Sequence, residues 1–308
     1  MTADTFTLTS HDGTEIFVRR WLTEAAPKAV VQIAHGMAEH SQRYARLAGE
    51  LTAAGYAVYA EDHRGHGETT TAQDAGYLGD NDGFACVVGD LAAVQARAES
   101  ENPGLPVFLI GHSMGSFLAR AYAIQHGESL TGLVLSGTAG DPGLLGRVGT
   151  AIAKTECRVR GRRARSPLMT RLTFGQYNAA FKPARTEFDW LSRDESEVDA
   201  YVADPACGQV FTAGFYADLL PALARINNDA EVAAIPAALP VMVISGDKDP
   251  VGANGKGVRA VADQLRHAGI RDLTLRLYPG ARHELFNETN RDEVGADVIA
   301  WLDERVMS

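Results

Sequence analysis

The sequence predicts an α/β protein built on a mostly parallel central sheet flanked by helices, with an α-helical cap insertion. Three observations carry that expectation. Short apolar runs alternate with segments of helical period over residues 29–136, the pattern of βαβ units. The alternation stops between Gly140 and Ala238 and resumes at Pro240. Within the first stretch, Pro106 to Phe117 reads PVFLIGHSMGSF, a buried-strand run broken abruptly by a serine between glycines. The expected organisation is a sheet domain in two parts, 1–139 and 239–308, with a helical cap over 140–238.

The elements follow in order. Phe6–Thr9 and Glu15–Trp21 read as half-buried antiparallel strands joined at His11-Asp12-Gly13. Ala29–Ala34 is apolar apart from Gln32, as expected of a parallel strand covered on both faces. It leads into His35-Gly36-Met37-Ala38-Glu39-His40 and a helix with Tyr44, Leu47, Leu51 and Ala54 on one face, ended by Gly55. Tyr56–Ala60 is the next buried strand and runs into Glu61-Asp62-His63-Arg64-Gly65-His66-Gly67. A helix over Phe84–Glu99 precedes the strand Pro106–Ile110, and the strand Leu133–Ser136 follows the serine. In the insertion, Gly208–Ala224 carries Phe211, Phe215, Leu219 and Leu223 four apart, a helical stripe expected mainly to pack onto the sheet domain. Val241–Ser245 restarts the sheet and leads to Gly246-Asp247-Lys248-Asp249-Pro250, then to a helix with Val258, Val261, Ala262 and Leu265 on one face. Asp272–Tyr278 is the last strand and delivers Gly280-Ala281-Arg282-His283-Glu284; a helix with Val294, Val298, Ile299 and Leu302 on one face follows.

Acidic residues outnumber basic ones 39 to 29, and the net charge of −10 argues against nucleic acid as a partner. One segment runs against that sign. From Lys154 to Arg185 the chain carries Lys154, Arg158, Arg160, Arg162, Arg163, Arg165, Arg171, Lys182 and Arg185 against Glu156 alone, which fits a solvated loop or attraction to anionic lipid. Cys86, Cys157 and Cys207 have unrelated spacings and no C-x-x-C pair, so they read as buried or incidental thiols of a reducing compartment. The start MTADTFTLTSHDG has no basic stretch followed by an apolar core, and no run reaches roughly twenty apolar residues. The expected location is the cytoplasm.

The chemistry centres on Ser113. A serine between strand and helix sits in a sharp turn with its hydroxyl aimed out of the sheet, and only small residues fit two positions to either side; Gly111 and Gly115 supply them. A serine hydroxyl needs a base, and the base needs an acid to fix its tautomer and stabilise the imidazolium. Serine, then an acid after the Val241 strand, then His283 after the last strand is the chain order of the α/β-hydrolase triad. Of the nine histidines, His35, His40, His63 and His66 precede the serine and His267 lies inside a helix, and only His283 combines a position after a strand with that chain order. Asp247 and Asp249 both follow the strand; turn chemistry favours Asp249, because Asp247 is nearer the strand end and placed to accept from loop amides. Backbone amides of Met114, next to the nucleophile, and Met37, in the loop after the first parallel strand, are the expected oxyanion donors. Such a mechanism needs neither metal nor cofactor.

Five runs make a family resemblance: HGMAEHSQRY at 35–44, DHRGHG at 62–67, GHSMGS at 111–116, SGDKDPV at 245–251 and YPGARHELFNE at 278–288. Together with WLSRDESEVDAYVADP at 190–205, they resemble the α/β-hydrolase superfamily, and within it the monoacylglycerol lipase and lysophospholipase-like serine hydrolases. The resemblance places the triad acid at Asp249. It also implies that Glu39 and Arg43 structure the oxyanion loop and approach a glycerol-like leaving group, with His112 nearby. It implies a lipid ester as substrate, with a lysophospholipid as the rival to a monoacylglycerol, and peripheral contact with membranes or lipid droplets through the cap. A general carboxylesterase is a further alternative, followed by a peptidase and a noncatalytic hydrolase-fold receptor. The chain departs from the pattern at Gly115-Ser116, where many monoacylglycerol lipases carry two glycines.

Overall fold

A computed structural model describes residues 3–306. Its strands are β1 (Asp4–Thr9), β2 (Glu15–Trp21), β3 (Ala29–Ala34), β4 (Tyr56–Glu61), β5 (Val107–His112), β6 (Gly132–Ser136), β7 (Val241–Gly246) and β8 (Leu273–Tyr278). They form one sheet in the order β1-β2-β4-β3-β5-β6-β7-β8. The β1–β2 hairpin is antiparallel, internally and to β4, and every other pairing is parallel. From β3 the chain steps outward to β4, then crosses back to place β5 on the opposite side of β3. Strand order reverses there, so the loops leaving β3 and β5 part and open a crevice at the carboxyl ends of the strands. Gly36 follows β3 and Ser113 follows β5 at that crevice.

The helices are α1 (Ala45–Ala53), α2 (Gly83–Glu101), α3 (Met114–His126), α4 (Gly143–Arg160), α5 (Pro167–Phe174), α6 (Glu195–Ala203), α7 (Ala213–Ile226), α8 (Asp229–Val232), α9 (Lys256–His267) and α10 (Arg291–Val306). Strand alternation divides the core between the two faces of the sheet. Ala29, Val31 and Ile33 of β3 pack with Leu47 and Leu51 of α1 and Val294 and Val298 of α10. Val30 and Ala34 face the layer of α2, α3 and α9. Each fully buried Leu, Val or Ile contributes about 1.5–3 kcal/mol relative to exposure. Strands covered on both faces therefore read as unbroken apolar runs, whereas the edge strands β1 and β8 are only partly buried.

Between β6 and β7 the described residues form α4 to α8 and no strand, apart from one isolated bridge between Arg165 and Thr212. The starts of α5 to α8 are specified by side-chain caps. Ser166 accepts from the Met169 amide at 3.2 Å ahead of Pro167, and Thr212 accepts from the Phe215 amide at 3.2 Å. Thr212 thus ends the extended path through Phe211, which precedes α7 rather than belonging to it. Phe211, Phe215 and Leu219 sink into the main core beside α2 and α3, with Leu223 packed against them.

The basic segment is helical over much of its length, in α4 and α5, and four of its arginines pair with carboxylates. Arg162 pairs with Asp218 at 2.6 Å, Arg185 with Asp199 at 2.5 Å, and Arg163 with Asp74, while Arg160 pairs with Glu156 at 2.7 Å. Arg165 donates to the Val210 and Ala72 carbonyls. The cysteines are free and partly exposed. Among the described residues no helix is long and apolar enough to cross a membrane.

Candidate active site

Ser113 occupies the turn between β5 and α3 with φ +53° and ψ −119°, a left-handed conformation that costs a serine about 1–3 kcal/mol and persists only where surroundings enforce it. The enforcement comes from close backbone packing. A Cβ on Gly115 would overlap the Ala34 carbonyl, and one on Gly111 would overlap the Gly115 carbonyl. The Ser113 amide donates to the Ser136 carbonyl at 2.9 Å, tying the turn to β6. Ser116 Oγ donates to the Ser113 carbonyl at 2.6 Å, so the serine found in place of a second glycine braces the turn from within the helix.

His283 Nδ1 lies 2.9 Å from Asp249 Oδ2. Both side chains are buried, and Asp249 also accepts from Ser245 Oγ at 3.1 Å and the Val251 amide at 2.9 Å. Asp247 instead takes the Gly280 amide at 2.8 Å, as a turn carboxylate does. The two loops meet because Gly246 passes so close to the Ala281 and Arg282 carbonyls that no side chain fits. Burial alone would pull the His283 pKa down, but the charge and hydrogen bond of Asp249 outweigh it and the pKa lies above the ordinary histidine value. His112 stands beside it, ring centres 4.7 Å apart, with its pKa lowered to about 4 by burial and by the neighbouring imidazole. It is neutral at pH 7.

The loop after β3 is held by an ion-pair network. The Gly36 amide donates to Glu39 Oε1 at 2.5 Å, and Tyr44 donates to the same oxygen at 2.7 Å. Arg43 pairs with Glu39 at 2.7 Å and bidentately with Glu284 at 2.5 and 2.7 Å. The Gly36 amide is thus committed, and Met37, next along the loop, lines the same cavity as Ser113. A Cβ on Gly36 would come within 3.3 Å of the Ser113 Cβ, so the loop and the nucleophile turn are in contact. Met114 is the first residue of α3, where a helix leaves its amide without an internal partner. Glu284 is buried, which favours its neutral form, yet Arg43 holds its pKa down to about 2. His35, His63 and His66 are buried structural groups: the His63 amide donates to His35 Nε2 at 2.9 Å, and burial lowers the His66 pKa to about 3.

A cavity of about 540 Å³ opens above these groups. This volume falls within the roughly 300–1,000 Å³ of small-molecule sites. Its floor is Gly36, Met37, Glu39, His112, Ser113 and His283, and its walls include Phe174, Phe188, Trp190, Leu191 and Tyr201 from the insertion. The stripe on α7 is not among them. Two features were not read from the sequence. Glu284 is the second carboxylate on Arg43, and the segment 190–192 braces the histidine loop: the Glu284 amide donates to the Leu191 carbonyl at 2.8 Å, and Arg282 donates to the Ser192 carbonyl at 2.9 Å. The aromatic wall had a usable signal in the density of Phe174, Tyr177, Phe181, Phe188 and Trp190.

Comparison with known proteins places the chain in a family. A family model described as Hydrolase_4, serine aminopeptidase, S33, matches residues 25–290. Monoacylglycerol lipase from Mycolicibacterium smegmatis is 31% identical over 295 residues, 94% of this chain and 93% of that protein. Human monoglyceride lipase is 30% identical over 302 residues, covering 97% and 90%. The crystal structure of a thermostable carboxyl esterase from Bacillus coagulans, in complex with glycerol, superimposes with a TM-score of 0.92 at 29% identity over 99% of each chain. A family model that covers residues 25–290, together with relatives at 30% identity or more over nearly the whole length, makes the chain a member of the Hydrolase_4 family of α/β-hydrolases.

Proposed function

We propose that the chain is a serine hydrolase that cleaves the ester of single-acyl-chain lipids, monoacylglycerols foremost, to an alcohol and a fatty acid. The observation that carries the reading is the cavity, whose polar floor holds Ser113 and His283 and whose aromatic walls suit one acyl chain. Ser113 Oγ attacks the ester carbonyl as His283 takes its proton. The Met37 and Met114 amides hold the oxyanion, and Asp249 stabilises the imidazolium. The alcohol leaves with the proton from His283, and water repeats the sequence on the acyl-enzyme to release the acid. Glu39, Arg43 and His112 set the shape and charge of the floor. Residues 140–238 act as the cap. Leu144, Leu145 and Val148 of α4 are exposed, as are Leu168 and Leu172 of α5, and they supply an apolar face for peripheral contact with a lipid surface.

A lysophospholipase is the second reading, favoured by Arg171, which lines the same cavity. Initial rates on a 1-monoacylglycerol chain-length series beside matched lysophosphatidylcholines separate the two. Faster turnover of the glycerides, lost in Ser113→Ala, supports the first; preference for the phospholipids promotes the second.

A further inference from the structure

Outside the catalytic floor, three side chains of metal-ligating type converge between the loop after β3 and the turn that joins α6 to α7. The donor atoms of His40, Asp204 and Cys207 all lie within 4.8 Å of one another. None of the three lines the cavity above Ser113. His40 Nε2 is 2.9 Å from Asp204 Oδ2. The other two donors are preset by their own turn. The Cys207 amide donates to the Asp204 carbonyl at 3.0 Å, and the Ala206 amide takes Asp204 Oδ1 at 2.8 Å, leaving Oδ2 for the histidine.

The chemistry of the set is selective. Imidazole nitrogen, carboxylate oxygen and thiolate sulfur together suit a borderline-soft divalent ion such as Zn²⁺ or Cd²⁺. A tetrahedral ion with bonds of about 2.0–2.3 Å spaces its donors roughly 3.3–3.8 Å apart, so closing the triad needs side-chain shifts on the order of 1 Å. Burial holds the Cys207 thiol in its protonated form, and of the charged groups around it Arg43 faces three carboxylates, Glu39, Asp204 and Glu284, so a cation at the sulfur would supply the charge that its ionisation needs. One-third of the Asp204 side chain is exposed, which gives an ion access from solvent. A second cluster of the same residue types, His11, Asp12 and Cys86, is committed elsewhere, because the Arg64 guanidinium binds both oxygens of Asp12.

We propose that His40 Nε2, Asp204 Oδ2 and Cys207 Sγ bind one divalent borderline-soft cation, with water completing a four-coordinate shell. On binding, the Cys207 thiol gives its proton to solvent and the sulfur lone pair forms the metal bond, while the His40 imidazole moves its ring hydrogen from Nε2, where it faces Asp204 Oδ2, to Nδ1 through solvent, which frees the Nε2 lone pair for the ion. The ion fastens the α6–α7 turn to the loop that holds Met37. That contact already exists in part, as the Gly208 amide and Tyr201 hydroxyl donate to the Ala38 carbonyl at 3.0 and 2.9 Å. Any effect of the ion on turnover rests on the proposed function; the binding itself does not.

The test uses the full chain carrying Cys86→Ser and Cys157→Ser, titrated with Cd²⁺ and followed by the thiolate-to-metal absorption in the ultraviolet. Calorimetry with Zn²⁺ in two buffers of different ionisation enthalpy counts protons. The expected result is one equivalent bound with about one proton released. Cys207→Ser abolishes the band, while His40→Ala and Asp204→Asn each weaken binding at least about tenfold. Metal-free Cys207→Ser keeps the cooperative unfolding midpoint of its parent. A Cd²⁺ titration without a Cys207-dependent band overturns the proposal, as does unchanged affinity in both His40→Ala and Asp204→Asn, which means capture by the thiol alone. Should Cys207→Ser unfold the chain, those last two variants decide the matter by themselves.

Discussion

Replacing Arg43 with methionine keeps the aliphatic stem but removes the cation shared by Glu39 and Glu284. Both carboxylates are almost wholly buried, and Arg43 reaches them at 2.5–2.7 Å. Removing one partner of a buried pair costs about 3–5 kcal/mol, since the remaining charge has neither water nor counterion. Glu284 points the same way: burial disfavours its charge, yet Arg43 holds its carboxyl below the ordinary range, so the pair stabilises the fold at neutral pH. Because its pKa is lowered in the fold, that stability is fully present above the unfolded value and fades as pH falls toward 2. In Arg43→Met the Glu284 carboxyl lacks its cation and protonates more readily, so acid relieves the variant while it weakens the wild type. Urea unfolding should therefore show a deficit of about 3–5 kcal/mol at pH 7 that narrows near pH 4. Turnover should fall as well, by about 10²–10³ if the Met37 amide is displaced when Glu39 releases Gly36. A deficit below about 1 kcal/mol at pH 7, or one that widens on acidification, would refute the reasoning.

Three further outcomes are expected. Asp249→Asn should keep the fold and lower kcat by about 10⁴, measured by steady-state ester hydrolysis beside a thermal melt. The ascending limb of kcat/KM against pH should fall above 6.5, because Asp249 raises the pKa of the base His283; a midpoint below 6.5 would contradict that electrostatic account. Gly115→Ala should destabilise by at least about 1–3 kcal/mol or fail to fold, as its Cβ meets backbone atoms of Ala34 and His35 that cannot rotate away; a thermal midpoint equal to wild type would show that the turn yields.

The readable parts of the sequence were those where one local rule decides the outcome. Buried parallel strands announce themselves as apolar runs, and β3 and the helix with Val258, Val261, Ala262 and Leu265 lie where period and burial place them. Gln32 interrupts its run without breaking the strand because its amide finds Glu61 and the Leu91 carbonyl inside the core. The juxtaposition of Asp249 and His283 was legible for a related reason, since topology sends the loops after β7 and β8 to one edge. Pairings set by tertiary geometry were hidden. Nothing near Glu284 in sequence names Arg43, which is 241 residues away, and the basic run could not reveal that Asp74, Asp199 and Asp218 would pair with Arg163, Arg185 and Arg162. The α7 stripe was visible, but only packing shows that it serves the core while the segment from Phe174 to Leu191 walls the cavity.

The most direct test of the central claim, that acyl transfer runs through Ser113, is stoichiometric labelling with a long-chain alkyl fluorophosphonate followed by peptide mapping and residual monoacylglycerol hydrolysis. One adduct on the Ser113 peptide, with activity lost in proportion and neither label nor turnover in Ser113→Ala, is the predicted result. An adduct elsewhere, or monoacylglycerol turnover that survives in Ser113→Ala, would contradict it.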